Sequence, residues 1–147
     1  MTGISVRAII LGAILAGCGA APALAHHSFG AEFDQDKILV LDGVVTRFDW
    51  RNPHSEIHLD VLNKKTGLYE RWRIEGGAPS ALLRRGWNRQ SLPPGTHILV
   101  HAFRAWDGDN RASAAEISFP DGTKVSLANP KTEQAQAAAV RAHVPEE

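Results

Sequence analysis

The sequence has no excess of either charge: 16 Lys and Arg balance 16 Asp and Glu over 147 residues. A chain without a net field holds a polyanion or an anionic membrane surface only through a local patch, so nucleic acid is not expected as a partner. Cysteine is nearly missing as well. The one thiol, Cys18, lies in the N-terminal leader, so the mature domain has no disulfide, no thiolate metal ligand and no cysteine nucleophile, and packing must stabilise it. Enzyme signatures are poor. Ser28, Ser55 and Ser80 have no nucleophile-elbow setting, Gly76-Gly77 has no phosphate-loop pattern, and the carboxylates are scattered singly with no recognisable acid/base pair. Asp109-Asn110 lacks the regular ligand spacing of a calcium loop, and Arg104, Asp107, Asp109 and Arg111 are assigned to a charged hairpin tip.

What is present begins with an export leader. Arg7 precedes an apolar, small-residue run from Ala8 to Gly17 that is shorter than the ~20 apolar residues a spanning helix needs. Ala23-Leu24-Ala25 supplies a small-x-small cleavage site that would leave His26 as the first mature residue. Leu15-Ala16-Gly17-Cys18 also fits a bacterial lipobox, in which Cys18 would carry a lipid anchor. The two readings exclude each other in one molecule. The continuing apolar run to Ala25 favours the first: a signal peptide over residues 1–25, a periplasmic protein and no transmembrane span in the mature chain. A membrane-anchored envelope lipoprotein is the alternative.

Hydrophobic residues make up 44% of the whole chain, enough for one core, and the part after the leader is of a usual single-domain size. Ile38 to Trp50 is rich in β-branched residues with Gly43 in its middle, the pattern of a long strand that bends or bulges. After the turn signal Arg51-Asn52-Pro53, residues alternate: Ser55, Ile57, Leu59 and Val61 on one side, His54, Glu56, His58 and Asp60 on the other. Tyr69 to Glu75 alternates again, with Trp72 and Ile74 opposite Arg71 and Arg73. Pro79 opens a short helix with an apolar side at Leu82 and Leu83, and Gly86 closes it. His97 to Ala105 and Ala112 to Phe119 read as strands joined by the tight turn Asp107-Gly108-Asp109-Asn110, and Asp121-Gly122 begins a short final arm. The Ala- and Gln-rich residues 129–147 are expected to form a frayed helix or flexible tail. Three strands, a helix and two strands predict an all-β fold with one short helix, a small five-stranded OB-like Greek-key barrel over residues 26–128, with an open β-sandwich as the alternative.

The segments Ala25-His26-His27-Ser28-Phe29, Glu32-Phe33-Asp34, Trp50 with Asn52-Pro53-His54, Gly76-Gly77-Ala78-Pro79 with Leu82-Leu83-Arg84, Gly86-Trp87 and Asp107-Gly108 together resemble one family of small exported bacterial proteins, domain of unknown function 6152. The resemblance runs from about residue 25 to residue 125. It implies an envelope location and a compact β domain, and brings no activity, substrate or catalytic residue with it. The family's usual His-His directly after the signal sequence agrees with cleavage after Ala25; the lipobox at Cys18 departs from it.

Two constellations carry chemistry. A free N-terminal His26 offers an amine and an imidazole nitrogen which, with one further His, make a three-nitrogen site suited to copper. His27, His54 and His58 are the accompanying metal candidates, with His97 and His101 on a later strand. His54 and His58 are roughly 13 Å apart on an extended strand, too far to share an ion, whereas Glu56 is within reach of either. The plainer reading of the row His54, Glu56, His58, Asp60 is a solvated sheet face. The second constellation gathers Trp50, Arg51, Asn52 and His54 with Arg84 and Trp87 at one mouth of the barrel, where indoles and guanidiniums suit stacking and anion recognition. The structural alternative makes Trp87 a plug in the core. The leading expectation is an exported non-catalytic binding or accessory module whose partner is a small molecule or envelope protein. A copper-binding or copper-dependent redox protein is the second reading, and an oligonucleotide-binding barrel is disfavoured.

Overall fold

The computed structural model describes residues 29–128 and the isolated positions 138, 141 and 142. The leader, Cys18, His26, His27 and nearly all of the 129–147 tail therefore lie outside the described residues. In chain order the elements are a one-turn helix α1 (Phe29–Glu32), β1 (Phe33–Asp49), β2 (Glu56–Leu62), β3 (Tyr69–Glu75), a short helix α2 (Pro79–Leu83), β4 (His97–Ala105), β5 (Arg111–Ser118) and β6 (Lys124–Ser126). All six strands belong to one sheet, ordered β3-β2-β1-β4-β5-β6, and β3 pairs additionally with β5. The neighbouring strands in that order are antiparallel; the β3–β5 pairing is parallel and covers Arg73 to Glu75 against Arg111 to Ser113.

Among the described residues there is thus a sixth strand, and a helix before β1, beyond the five strands and one helix of the expected barrel. The extra strand is the short arm after Asp121-Gly122. The extra helix and the early start of β1 come from Phe29 and Phe33, which pack with Phe103, Ala105, Ala115 and Ile38 as a separate apolar cluster. Phe29 lies 5.4 Å from Phe33 and 5.5 Å, edge-on, from Phe103. Burial of this aromatic group accompanies a first pairing of β1 with β4, Phe33 opposite Ala105, which is separated by an irregularity from the continuous pairing that begins at Ile38 opposite Phe103.

The main core takes the inward side of each alternation: Val45, Ile57, Leu59, Trp72, Ile74, Ile98, Val100 and Ile117 are buried, with Leu82, Trp87, Leu92 and Leu127 packed among them. In α2, Pro79 occupies the first turn, where its missing N–H is no loss. Leu82 is fully buried and Leu83 exposed, so the apolar side is one leucine wide. Gly86 takes φ +84, which brings the Trp87 N–H back to the Leu82 carbonyl at 3.0 Å.

Gly43 is placed by close approach. A Cβ there would meet the Asp60 carbonyl oxygen at 2.6 Å and Leu59 Cγ at 2.9 Å. The interruption of β1 lies three residues on. Val45 faces Leu59 and Arg47 faces His58, leaving Thr46 unpaired as a bulge. Thr46 and Arg47 are consequently both exposed, while Val45 and Phe48 on either side turn towards the core. Among the described residues no helix is long and apolar enough to cross a membrane.

Candidate functional site

The outward side of β1, β2 and β3 follows from the same alternation. Registry places Asp49 opposite Glu56 and Glu56 opposite Glu75, a row of three carboxylates across three strands. The next row is Arg47 opposite His58 and His58 opposite Arg73, and Arg73 in turn faces Arg111 on β5. Like charges directly opposite on one face destabilise a sheet unless countered. Here the rows neutralise each other and recruit the β1–β2 turn. Arg47 Nη2 lies 2.9 Å from Asp49 Oδ2, and Arg51 lies 3.3 Å from Glu56. His54 Nδ1 contacts a Glu75 carboxylate oxygen. Burial raises the Glu75 carboxyl above its ordinary value; the His54 contact works in the opposite direction.

At the junction of the rows stands His58. Its Nε2 is 2.8 Å from Arg47 Nη2, 3.0 Å from Glu56 Oε1 and 3.1 Å from Asp49 Oδ2. The ligand atoms of Asp49, Glu56 and His58 all fall within 4.8 Å of one another, a grouping able to hold a metal ion. The three side chains are only 22%, 19% and 12% exposed.

Beside this cluster lies an open groove of about 590 Å³ lined by Thr46, Arg47, His58, Arg71 and Arg73. Arg71 is tied to Asp60 at 3.3 Å, whereas the exposed Arg73 guanidinium has no ion-pair or hydrogen-bond partner among the described residues. The backbone N–H of Arg73 donates to the Asn110 carbonyl at 2.9 Å, so the β4–β5 loop borders the same rows. At the start of β5, Arg111 reaches both Asp107 of that loop at 2.9 Å and Glu32 at 3.1 Å. Burial of the Arg111 guanidinium is outweighed by these bonds, which hold it above its ordinary value, and Arg111 keeps the Asp107 carboxyl below its own. Trp106 is exposed and donates Nε1–H to the Gly30 carbonyl at 3.1 Å.

The residues read from sequence as a ligand mouth divide between these settings. Arg51 and His54 sit at the edge of the acidic row, and Asn52 is exposed in the turn, its bond to Pro53 being cis. Trp50 is half-buried against Phe48, and Trp87 is 6% exposed, with its ring 6.3 Å from Phe48. Trp87 is a core residue, because the turn after α2 folds its indole beneath the strands. Arg84 is exposed as the residue that caps α2. None of these six lines the groove. His54 and His58 have separate carboxylate partners. His97 pairs with Asp42 on the surface, and His101 is buried with Nδ1 unbonded, 3.7 Å from Glu116.

The candidate face therefore adds Arg47, Asp49, Arg71, Arg73 and Glu75 to the residues singled out from sequence as a site. Period-two alternation was sufficient to put Arg71 and Arg73 together on one face. It could not reveal that Asp49 and Arg47, on another strand, would register against Glu56 and His58. No curated protein and no solved structure matches the chain. A family model matches residues 14–114, and the chain belongs to the family of unknown function DUF6152.

Proposed function

We propose that this protein is an exported, non-catalytic binding module of the bacterial envelope, built as an OB-like barrel, whose outer β1–β2–β3 face holds a small anion or an anionic group of an envelope molecule. The observation that carries the reading is the groove formed by Thr46, Arg47, His58, Arg71 and Arg73, in which the exposed Arg73 guanidinium makes no ion pair or hydrogen bond among the described residues. Guanidiniums offer paired N–H donors that match carboxylate and phosphate oxygens, and the groove places three of them on one face.

The barrel reading is supported by the circuit of pairings β1–β2, β2–β3, β3–β5, β5–β4 and β4–β1, with α2 between β3 and β4. Barrels of that order bind across strands two and three, between the loop joining the first two strands and the loop joining the last two. Those elements here carry His58, Arg71 and Arg73, with Arg51 and Asp107 in the flanking loops. Fold analogy supports the choice of face, and the side chains support the ligand class. The binding role is preferred to catalysis because, among the described residues, no serine or threonine hydroxyl is hydrogen-bonded to an imidazole, and Thr123, bonded to the Asp121 carboxylate, lies in the exposed β5–β6 turn. Export rests on the leader features before His26 and on the family resemblance.

The test is a calorimetric titration of the full untagged chain with inorganic phosphate and with a tricarboxylate. Saturable binding of at least one is expected. Arg73→Ala should weaken it roughly 10- to 100-fold, the worth of a charge-assisted hydrogen bond, while leaving the melting temperature unchanged. Equal binding by wild type and an Arg71→Ala/Arg73→Ala protein, or no binding of either anion, overturns the reading.

A further inference from the structure

His58 Nε2 has three neighbours that no single protonation state satisfies. A ring nitrogen presents either a hydrogen or a lone pair. With a lone pair it accepts from Arg47 Nη2 at 2.8 Å but faces the lone pairs of Glu56 Oε1 and Asp49 Oδ2 at 3.0 and 3.1 Å. With a hydrogen it donates to a carboxylate but faces a guanidinium donor head-on. A metal cation among the three acceptors removes the conflict, because it takes all three lone pairs at once and replaces the positive charge that Arg47 supplies.

The geometry points to Asp49, Glu56 and His58 as a divalent transition-metal site, in which Arg47 holds the place of the cation when no metal is bound. Ligands bound at ~2.1 Å to one ion stand ~3.0 Å apart at right angles and ~3.4 Å apart at tetrahedral angles, which the 3.0 and 3.1 Å separations from Nε2 already approach. One imidazole nitrogen and two carboxylate oxygens suit zinc, cobalt, manganese or ferrous iron, and leave further coordination positions for solvent or ligand. The site is also prepared by the fold. Asp49 and Glu56 are cross-strand partners, and Glu56 and His58 are two apart on one strand, so backbone pairing rather than long flexible side chains sets their spacing. Arg51, 3.3 Å from Glu56, and Arg47 are the cations that offset the paired carboxylates in the metal-free state.

This goes beyond the anion-binding face and is tested separately. The full untagged chain, stripped with a chelator, is titrated with Co²⁺ by visible absorption and with Zn²⁺ by calorimetry, phosphate being left out. One equivalent is expected to bind at this site. Asp49→Asn/Glu56→Gln should weaken binding at least as much as loss of an outer-sphere partner does, roughly 10- to 100-fold, and should alter the cobalt spectrum. Arg47→Ala, which removes the competing cation but no ligand, should tighten binding, and it guards against reading a folding defect as metal loss. No saturable binding overturns the inference. So does binding that Asp49→Asn/Glu56→Gln leaves unchanged, which would place the ion elsewhere in the chain, as at His26 and His27. Neither result touches the effect of Arg73→Ala on anion binding.

Discussion

Ser55 binds the Gly77 carbonyl twice, through its backbone N–H at 3.1 Å and through its hydroxyl at 2.9 Å. The Gly76 N–H returns a bond to the Ser55 carbonyl at 2.9 Å, so the start of β2 is locked to the end of β3. Ser55 is 1% exposed, and a Cβ on Gly76 would meet its Oγ at 2.7 Å. The Gly76-Gly77 pair that lacks a phosphate-loop pattern is thus a packing device at the foot of the acidic row.

A double-mutant cycle follows from this arrangement. Ser55→Ala should cost about 1 kcal/mol of unfolding free energy through the lost buried hydrogen bond. Gly76→Ala should cost more, about 1–3 kcal/mol, because an overpacked core has to shift. The two penalties should not add, since removing Oγ clears the atom that the new methyl meets. Urea unfolding of the four proteins checks this, and strict additivity would show that the Gly76 penalty lies elsewhere.

Trp87→Ala is expected to act on stability first. The indole is buried beside Phe48 and next to Leu82 and Leu92 in the main core cluster. Truncating a buried tryptophan costs about 3–5 kcal/mol. A thermal melt lowered well beyond that of Trp106→Ala, whose indole is exposed, is the expected outcome.

How far the sequence discloses this protein depends on whether the signal is local. Period two in Ser55 to Val61 and in Tyr69 to Glu75 gave both strands and their buried sides, and Pro79 and Gly86 bracketed α2, because alternation and backbone restriction belong to a few neighbouring residues. Phe29 and Phe33 gave no such signal: their burial requires Phe103, some seventy residues on, and only that contact makes residues 33–37 part of β1. The site shows the same divide. His54, Glu56 and His58 were legible as a polar row, but Asp49 joins them through strand registry, and the bulge at Thr46 decides that Arg47 rather than Thr46 stands opposite His58. Trp87 looked like a ligand residue because tryptophan chemistry serves both cores and binding sites, and only packing separates the two uses.

Gly43→Ala tests the curvature of β1. Its Cβ would enter the space of the Asp60 carbonyl and the Leu59 side chain, one a backbone atom that cannot rotate away. A loss of about 1–3 kcal/mol is expected by chemical unfolding, larger than for an alanine placed at the exposed neighbour Asp42. Because Gly43 pairs with Val61, the strain should also displace β2, and metal or anion binding at His58 should weaken together with stability.

Arg111 gives the protein an acid-sensitive clasp. It joins the β4–β5 loop to α1 through Asp107 and Glu32, and its hydrogen bonds to Asp107 pull that carboxyl below its ordinary value of 3.8. A folded-state value below the unfolded one means that the ionised form favours folding. The contribution is therefore present above pH 3.8 and is lost as pH falls through the depressed folded value. Asp107→Asn should flatten the acid limb of the stability curve, and Arg111→Ala should lie closest to wild type at the acid end and furthest from it near neutrality. Melting temperatures of the three proteins from pH 2 to pH 7 measure this; parallel curves would mean that the clasp holds the loop in place without contributing to acid stability.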